Sequence, residues 1–216
     1  MIDLSQYRIH DLTLPYNEEI AGYTSETART VAKNGWNART LHIYSHAGTH
    51  MDAPFHFGVS QETIDDFSPQ QVMGKAWVVT IPIKEDQQLL TLSDLQPIVA
   101  HFKMGDSLLL RTDWSQFLGK PKYRDALPRI SEELAQWCVD QKVKILGVEP
   151  PSVADVNNLE EVTNIHHILL KGKVIIVEGL TNLDKIDRPF VFLIALPLKI
   201  ENGDGAPARV IALEEK

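Results

Sequence analysis

The segment Ser45-His46-Ala47-Gly48-Thr49-His50-Met51-Asp52-Ala53-Pro54-Phe55-His56-Phe57 carries three of the chain's eight histidines and an aspartate. Imidazole and carboxylate are the ligand set shared by zinc, manganese and iron(II), so these residue types at this density point to a metal centre. His46 and His50 are four apart, which on a helix would put both rings on one face, as in H-E-x-x-H zinc sites. Here that geometry fails, because Gly48 and Pro54 oppose helix, Pro54 pushes Ala53 towards extended backbone, and no Glu follows His46 directly. In extended backbone His50 and Asp52 point the same way, and Gly48 lets the chain turn His46 towards them. Two imidazoles and a carboxylate then make a ligand set with open positions. Without Lys or Arg in the segment, such a cluster is hard to satisfy unless an ion fills it.

Two distant elements offer further ligands: His166-His167, on a short predicted helix, and Glu178, where an apolar strand stops. Paired histidines often divide into one core and one surface residue, and a Glu at a strand end is usually solvated, so the residues alone leave both open. Glu149, before Pro150-Pro151, stands in the same position.

The elements that must position these residues follow from periodicity and punctuation. Arg8 to Leu14 alternates and meets Pro15, giving a strand that runs into a polar loop from Asn17 to Gly35, with Tyr16 and Tyr23 as its aromatic members. Ala38 to Tyr44 predicts a second strand that delivers the chain to the histidines. Ala76 to Ile83 is an almost continuous apolar run, the pattern of a strand central in a sheet and buried on both faces. A helix is predicted from Thr91 to Phe102, a strand over Ser107 to Arg111, and a long loop from Thr112 to Pro128 whose Trp114, Phe117 and Tyr123 line a pocket or cover the core. Ser131 caps a helix whose inner face carries Leu134, Trp137 and Cys138. Strands over 143–148, 174–177, 190–196 and 208–213 and a helix over 164–171 complete a mixed α/β class without the even spacing of a regular βα barrel.

Length and an ordinary globular composition, 44% apolar and 23% charged, predict a single domain over residues 1–216. A net charge of −8 argues against nucleic acid or an anionic membrane surface as partner. Met1-Ile2-Asp3-Leu4-Ser5 has neither the basic nor the apolar region of a secretory leader, and the expected setting is cytoplasmic. Cys138, the only cysteine, forms no internal disulfide and reads as a small buried hydrophobe.

His46-x-Gly48-Thr49-His50-x-Asp52-Ala53-Pro54-x-His56-Phe57 resembles the signature of the cyclase family of metal-dependent hydrolases, which includes bacterial kynurenine formamidases and isatin hydrolases. His166-His167-x-Leu169-Leu170, Ile176-Val177-Glu178-Gly179-Leu180, Ala195-Leu196-Pro197-Leu198 and Gly205-x-Pro207-x-Arg209 extend the resemblance over nearly the whole chain. It implies a compact mixed β-sheet domain with a few packed helices, a swivelling β/β/α-like fold, in subunits that associate as a homodimer or homotetramer. It also implies His46, His50, Asp52, His166 and Glu178 as ligands of one or two divalent ions, zinc or alternatively manganese, with Asp52 able to bridge. His56 takes the part of catalytic proton shuttle, its alternative being a further ligand. The implied reaction is hydrolysis of an amide of the arylformamide type in a small-molecule substrate, or of a cyclic amide or lactone. The N-terminal loop lacks the tryptophan characteristic of kynurenine formamidases. A non-catalytic metal-binding protein, or an interaction module on the same fold, are the alternatives from other classes.

Overall fold

The structure, a computed structural model, describes residues 3–216; Met1 and Ile2, part of the segment read for a leader, lie outside the described residues. The strands are β1 (Tyr7–Asp11), β2 (Tyr23–Arg29), β3 (Ala38–Ile43), β4 (His50–Asp52), β5 (Met73–Thr80), β6 (Leu89–Leu90), β7 (Ser107–Arg111), β8 (Arg129–Ile130), β9 (Ile145–Val148), β10 (Ile175–Glu178), β11 (Phe190–Pro197) and β12 (Gly205–Glu215). Eight of them form one sheet in the order β1-β12-β11-β5-β7-β9-β10-β4. Because β4 also pairs with β12, the sheet from β12 round to β4 closes on itself and β1 is appended to β12. The class is mixed α/β, as the residue pattern predicts.

β5, β7, β9 and β10 run parallel, so their C-terminal ends lie at one end of the sheet. Every residue of β9 and β10 is buried, as expected of parallel strands covered on both faces. Alternation divides their side chains between two cores. Leu108, Leu110, Leu146, Val148 and Ile176 face Leu134, Ala135 and Cys138 of the helix Glu132–Asp140 and Ile165, Leu169 and Leu170 of the helix Leu159–Lys171. Leu109, Ile145 and Val177 point the other way, where Ala76, Ala195, Ala206 and Ala212 keep the closed sheet's interior narrow.

The chain departs from its predicted elements at several places. Residues 17–35 are not one loop: β2 forms a hairpin with β3, and Val31–Asn34 is one helical turn. The polar run from Thr24 to Arg29 hid the strand, because neither of its faces is buried. The segment from Thr91 divides into a 3-10 turn, Leu92–Leu95, and a single α turn, Gln96–Val99, since Pro97 removes a donor from the ladder. The helix carrying His166 starts at Leu159, before the predicted Asn164, capped by Asn158, whose side chain accepts from the Glu161 amide. Trp114, Tyr123 and Leu127 form a small core of their own with Phe117 packed against it, and Trp114 and Phe117 also border a surface cavity beside Lys122, so both readings of these aromatics hold. The central strand predicted from Ala76 lies between β11 and β7, shifted to begin at Met73.

Candidate metal centre

β4 is only three residues long, and all three are buried. His50 lies opposite Glu178 on β10 and opposite Pro207 on β12, which fixes it from both sides. Strand alternation puts His50 and Asp52 on one face while Met51 enters the core on the other. Before the strand, Gly48 takes φ +63°, and the Thr49 hydroxyl donates to the Gly179 carbonyl at 2.6 Å while accepting the Leu14 amide at 2.8 Å. This reversal brings His46 back onto Asp52, with Nδ1 2.8 Å from Oδ1.

Asp52 is the hub. Its Oδ1 also lies 3.6 Å from His50 Nε2, and its Oδ2 lies 3.6 Å from His166 Nε2. Glu178 closes the far side, Oε2 3.2 Å from His50 Nε2 and Oε1 3.6 Å from His166 Nε2. The five residues nominated from the sequence and the family resemblance thus converge. Several are held from behind: His50 Nδ1 donates to the Gly48 carbonyl at 3.0 Å, His166 Nδ1 to the Val162 carbonyl at 2.6 Å, and the Val153 amide donates to Glu178 Oε1 at 2.8 Å. Such partners set which ring nitrogen keeps a free lone pair.

His166-His167 divides as paired histidines often do. His166 enters the cluster, and His167 donates from Nε2 to the Phe57 carbonyl at 3.0 Å. The Phe57 ring stacks on His166, centroids 4.2 Å apart. Glu149 stays outside, its carboxylate occupied by the Thr112 and Trp114 amides and the Thr112 hydroxyl. His56 sits at the partly exposed edge, its ring flat against His46. Asp204, which no spacing in the sequence singles out, accepts from His46 Nε2 at 2.9 Å and lies 3.6 Å from His56 Nδ1. The one available signal was its place in Gly203-Asp204-Gly205, directly before the Gly205-x-Pro207-x-Arg209 motif.

Burial lowers the His46 pKa, but hydrogen bonds and charge from Asp52 and Asp204 outweigh it and hold the ring at about 9. His50 and His166 behave alike, burial being overcome chiefly by Glu178. Burial raises Asp52, yet the surrounding imidazoles hold it below the ordinary carboxylate range, and Glu178 is held down in the same way by His166 and His50. His56 goes the other way, pulled down by burial. Among the described residues Asp52 and Glu178 are paired with imidazoles alone and with no Lys or Arg, although both are almost fully buried. Two buried carboxylates with ring nitrogens converging on them fit a divalent cation, the charge that such a donor set otherwise lacks. Two groups of potential ligand atoms share Asp52: His46, Asp52 and His56, and His50, Asp52 and Glu178.

Known proteins resemble this chain along nearly its whole length. It is 28% identical over 209 residues to a kynurenine formamidase of Bacillus cereus, covering 93% of this chain and 95% of that protein. It is 30% identical over 208 residues to the kynurenine formamidase of Bacillus cytotoxicus, with the same coverage. Its structure superposes on isatin hydrolase A from Ralstonia solanacearum with a TM-score of 0.85 at 26% identity, covering 98% of this chain and 93% of that one. The family described as "Putative cyclase" matches residues 10–155, which contain the whole histidine-rich segment, and the chain belongs to this cyclase family.

Proposed function

We propose that the chain, acting as one domain, is a metal-dependent hydrolase that cleaves a C–N amide bond in a small molecule, with an arylformamide as the favoured substrate class. The observation that carries this reading is Asp52, buried with one oxygen towards His46 and His50 and the other towards His166. Asp52 would hold an ion with His46 and His50 and, where a second ion binds, His166 and Glu178 would hold it, with His50 also 3.2 Å from Glu178. Zinc is the favoured metal and manganese the alternative, both suited to imidazole and carboxylate. When bound, a divalent ion lowers the pKa of water from about 15.7 towards about 7 and polarises a carbonyl oxygen.

The remaining work falls to the protein. His56, at the solvent edge of the cluster, takes a proton from the nucleophile and returns it to the leaving nitrogen. His50, His166 and Glu178 arrive already fixed by backbone partners, so little reorganisation accompanies the reaction. A cyclic amide is the second reading, favoured by the likeness to isatin hydrolase A.

The β2–β3 hairpin supports association of two copies. Neither strand has a buried residue, and Val31, Trp36, Leu41, Ile43 and Tyr44 on or beside it are exposed. A two-stranded hairpin is marginal alone in water, so a second chain is its expected support, in a homodimer or homotetramer. No helix among the described residues is long and apolar enough to cross a membrane.

The test is to measure bound metal and the hydrolysis of N-formylkynurenine, isatin and simple lactones. Metal-dependent turnover of the formamide, abolished by a chelator and restored by zinc or manganese, is the expected result. Metal binding without hydrolysis of any of them would leave a binding protein instead.

A further inference from the structure

Asp204 stands outside every ligand set considered above, yet its carboxylate, although 40% exposed, is turned onto the cluster. Oδ2 accepts from His46 Nε2 at 2.9 Å and from the Ser45 hydroxyl at 3.4 Å, and lies 3.6 Å from His56 Nδ1. Nδ1 of the His46 ring faces Asp52 Oδ1, so the protonated ring donates to a carboxylate on each side; once the ring is neutral and its Nε2–H stays with Asp204, the lone pair is on the other nitrogen. In His46 that other nitrogen is Nδ1, the one 2.8 Å from Asp52 Oδ1.

The turn that carries Asp204 is built against this ring. The Asp204 carbonyl accepts the Ala53 amide at 3.0 Å, which ties the turn to the residue after Asp52. Next to it, a Cβ on Gly205 would lie 2.6 Å from His46 Cε1 and 2.8 Å from the Met51 carbonyl. Only glycine lets the imidazole lie this close to the start of β12. The ring is therefore held by backbone on one edge, by His56 on one face and by the Asp204 carboxylate at its outer nitrogen.

We propose that Asp204 is a positioning residue of the metal centre: its carboxylate takes the His46 Nε2 hydrogen bond and so presents the Nδ1 lone pair to the ion shared with Asp52. The proposal rests on His46 being a metal ligand. His50 and His166 have backbone carbonyls in the equivalent position, so Asp204 is the only one of these three partners whose removal leaves the main chain intact. It also supplies a full negative charge, which raises the basicity of the imidazole it holds.

The experiment compares wild type, Asp204→Ala, Asp204→Asn and His46→Ala as full-length proteins. Zinc and manganese affinities are measured by competition with a chelator, and the unfolding midpoint of each metal-free protein is measured alongside. Asp204→Ala is expected to bind about 10- to 100-fold more weakly, the range for losing such a partner. Asp204→Asn keeps an acceptor oxygen and is expected to lose less, with metal-free midpoints unchanged in both. Wild-type affinity in both Asp204 variants, or a loss matched by an equal fall in metal-free stability, would overturn the proposal while leaving the metal reading standing. If wild type took up no metal, or His46→Ala bound as wild type does, the ligand assignment itself would fall and the proposal with it.

Discussion

The imidazole of His56 lies on the face of His46, with ring centroids 3.8 Å apart and planes inclined by 26°. The His46 nitrogens hold Asp52 and Asp204 at 2.8 and 2.9 Å, whereas the stacked ring reaches Asp204 only at 3.6 Å, beyond hydrogen-bond distance. The two histidines thus share one place in the fold without sharing a task. His46 is enclosed and His56 is partly open to solvent, as a group that exchanges protons with substrate must be.

That division yields the first prediction. His56→Ala should retain its metal, because the other five residues still converge, while hydrolysis falls by about 10²- to 10⁴-fold, the usual contribution of a positioned acid–base group. Metal analysis and turnover on the same preparation check it. Loss of metal in parallel with activity would make His56 a ligand.

How much of this centre was legible beforehand depended on distance along the chain. His46, His50 and Asp52 could be grouped from spacing alone, because Gly48 and Pro54 exclude a helix and strand alternation then aligns His50 with Asp52. His166 and Glu178 needed the family resemblance, since strand pairing and helix packing, rather than local sequence, bring them to Asp52. Asp204 had only its place before the Gly205-x-Pro207-x-Arg209 motif to mark it: it meets His46 across 158 residues, through a turn whose register is set by β4 and β12 pairing. The fold shows the same limit. The buried runs of β5, β7 and β10 announced themselves, but closure of the sheet rests on the three residues of β4, and the exposed β2 has no apolar stripe to reveal it.

Cys138 supplies a second prediction. It is fully enclosed in the helix Glu132–Asp140, and burial pushes its thiol up to about 12. The thiolate is the reactive form. In native protein near pH 8, iodoacetamide and disulfide reagents should leave Cys138 unmodified for as long as the fold persists, and one thiol per chain should appear in denaturant. Rapid labelling of native protein would show that this helix opens readily.

Glu214 predicts how stability responds to acid. Its buried carboxylate accepts His10 Nε2 and the amides of Asp187 and Arg188, each at 2.7 Å, with Arg8 at 3.9 Å. Burial acts to raise its pKa, but His10 and the two amides prevail and hold it below the ordinary value. A carboxylate depressed in the folded state stabilises the fold above its unfolded pKa, about 4.3, and loses that contribution as pH falls through the folded value. Glu214→Gln should therefore unfold at lower urea than wild type near neutrality. The gap should close below about pH 4, as wild type gives up its charge. A gap independent of pH would mean that packing, not charge, is what the substitution removes.

Gly179 follows directly after Glu178 and links the two halves of the centre. Its φ is +68°, and a Cβ there would fall 2.3 Å from the Gly48 carbonyl oxygen and 3.3 Å from the Thr49 nitrogen. Alanine would add about 1–2 kcal/mol for the left-handed backbone. The contact with Gly48 cannot be relieved by a side-chain rotation, because both partners are main chain, so the turn that delivers His46 and His50 must move away from β10. That turn is fixed to Gly179 by the 2.6 Å bond from Thr49 Oγ1, and its displacement would separate His50 from Glu178. Gly179→Ala should consequently lose metal affinity as well as thermal stability. Thr49→Val, which breaks the same junction without adding bulk to the backbone, should cost about 1–3 kcal/mol by leaving the Leu14 amide unpaired. Melting curves and chelator competition on both variants separate the two effects. If Gly179→Ala bound metal as tightly as wild type, the tight fit between Gly48 and Gly179 would not be what holds the two halves of the ligand set together.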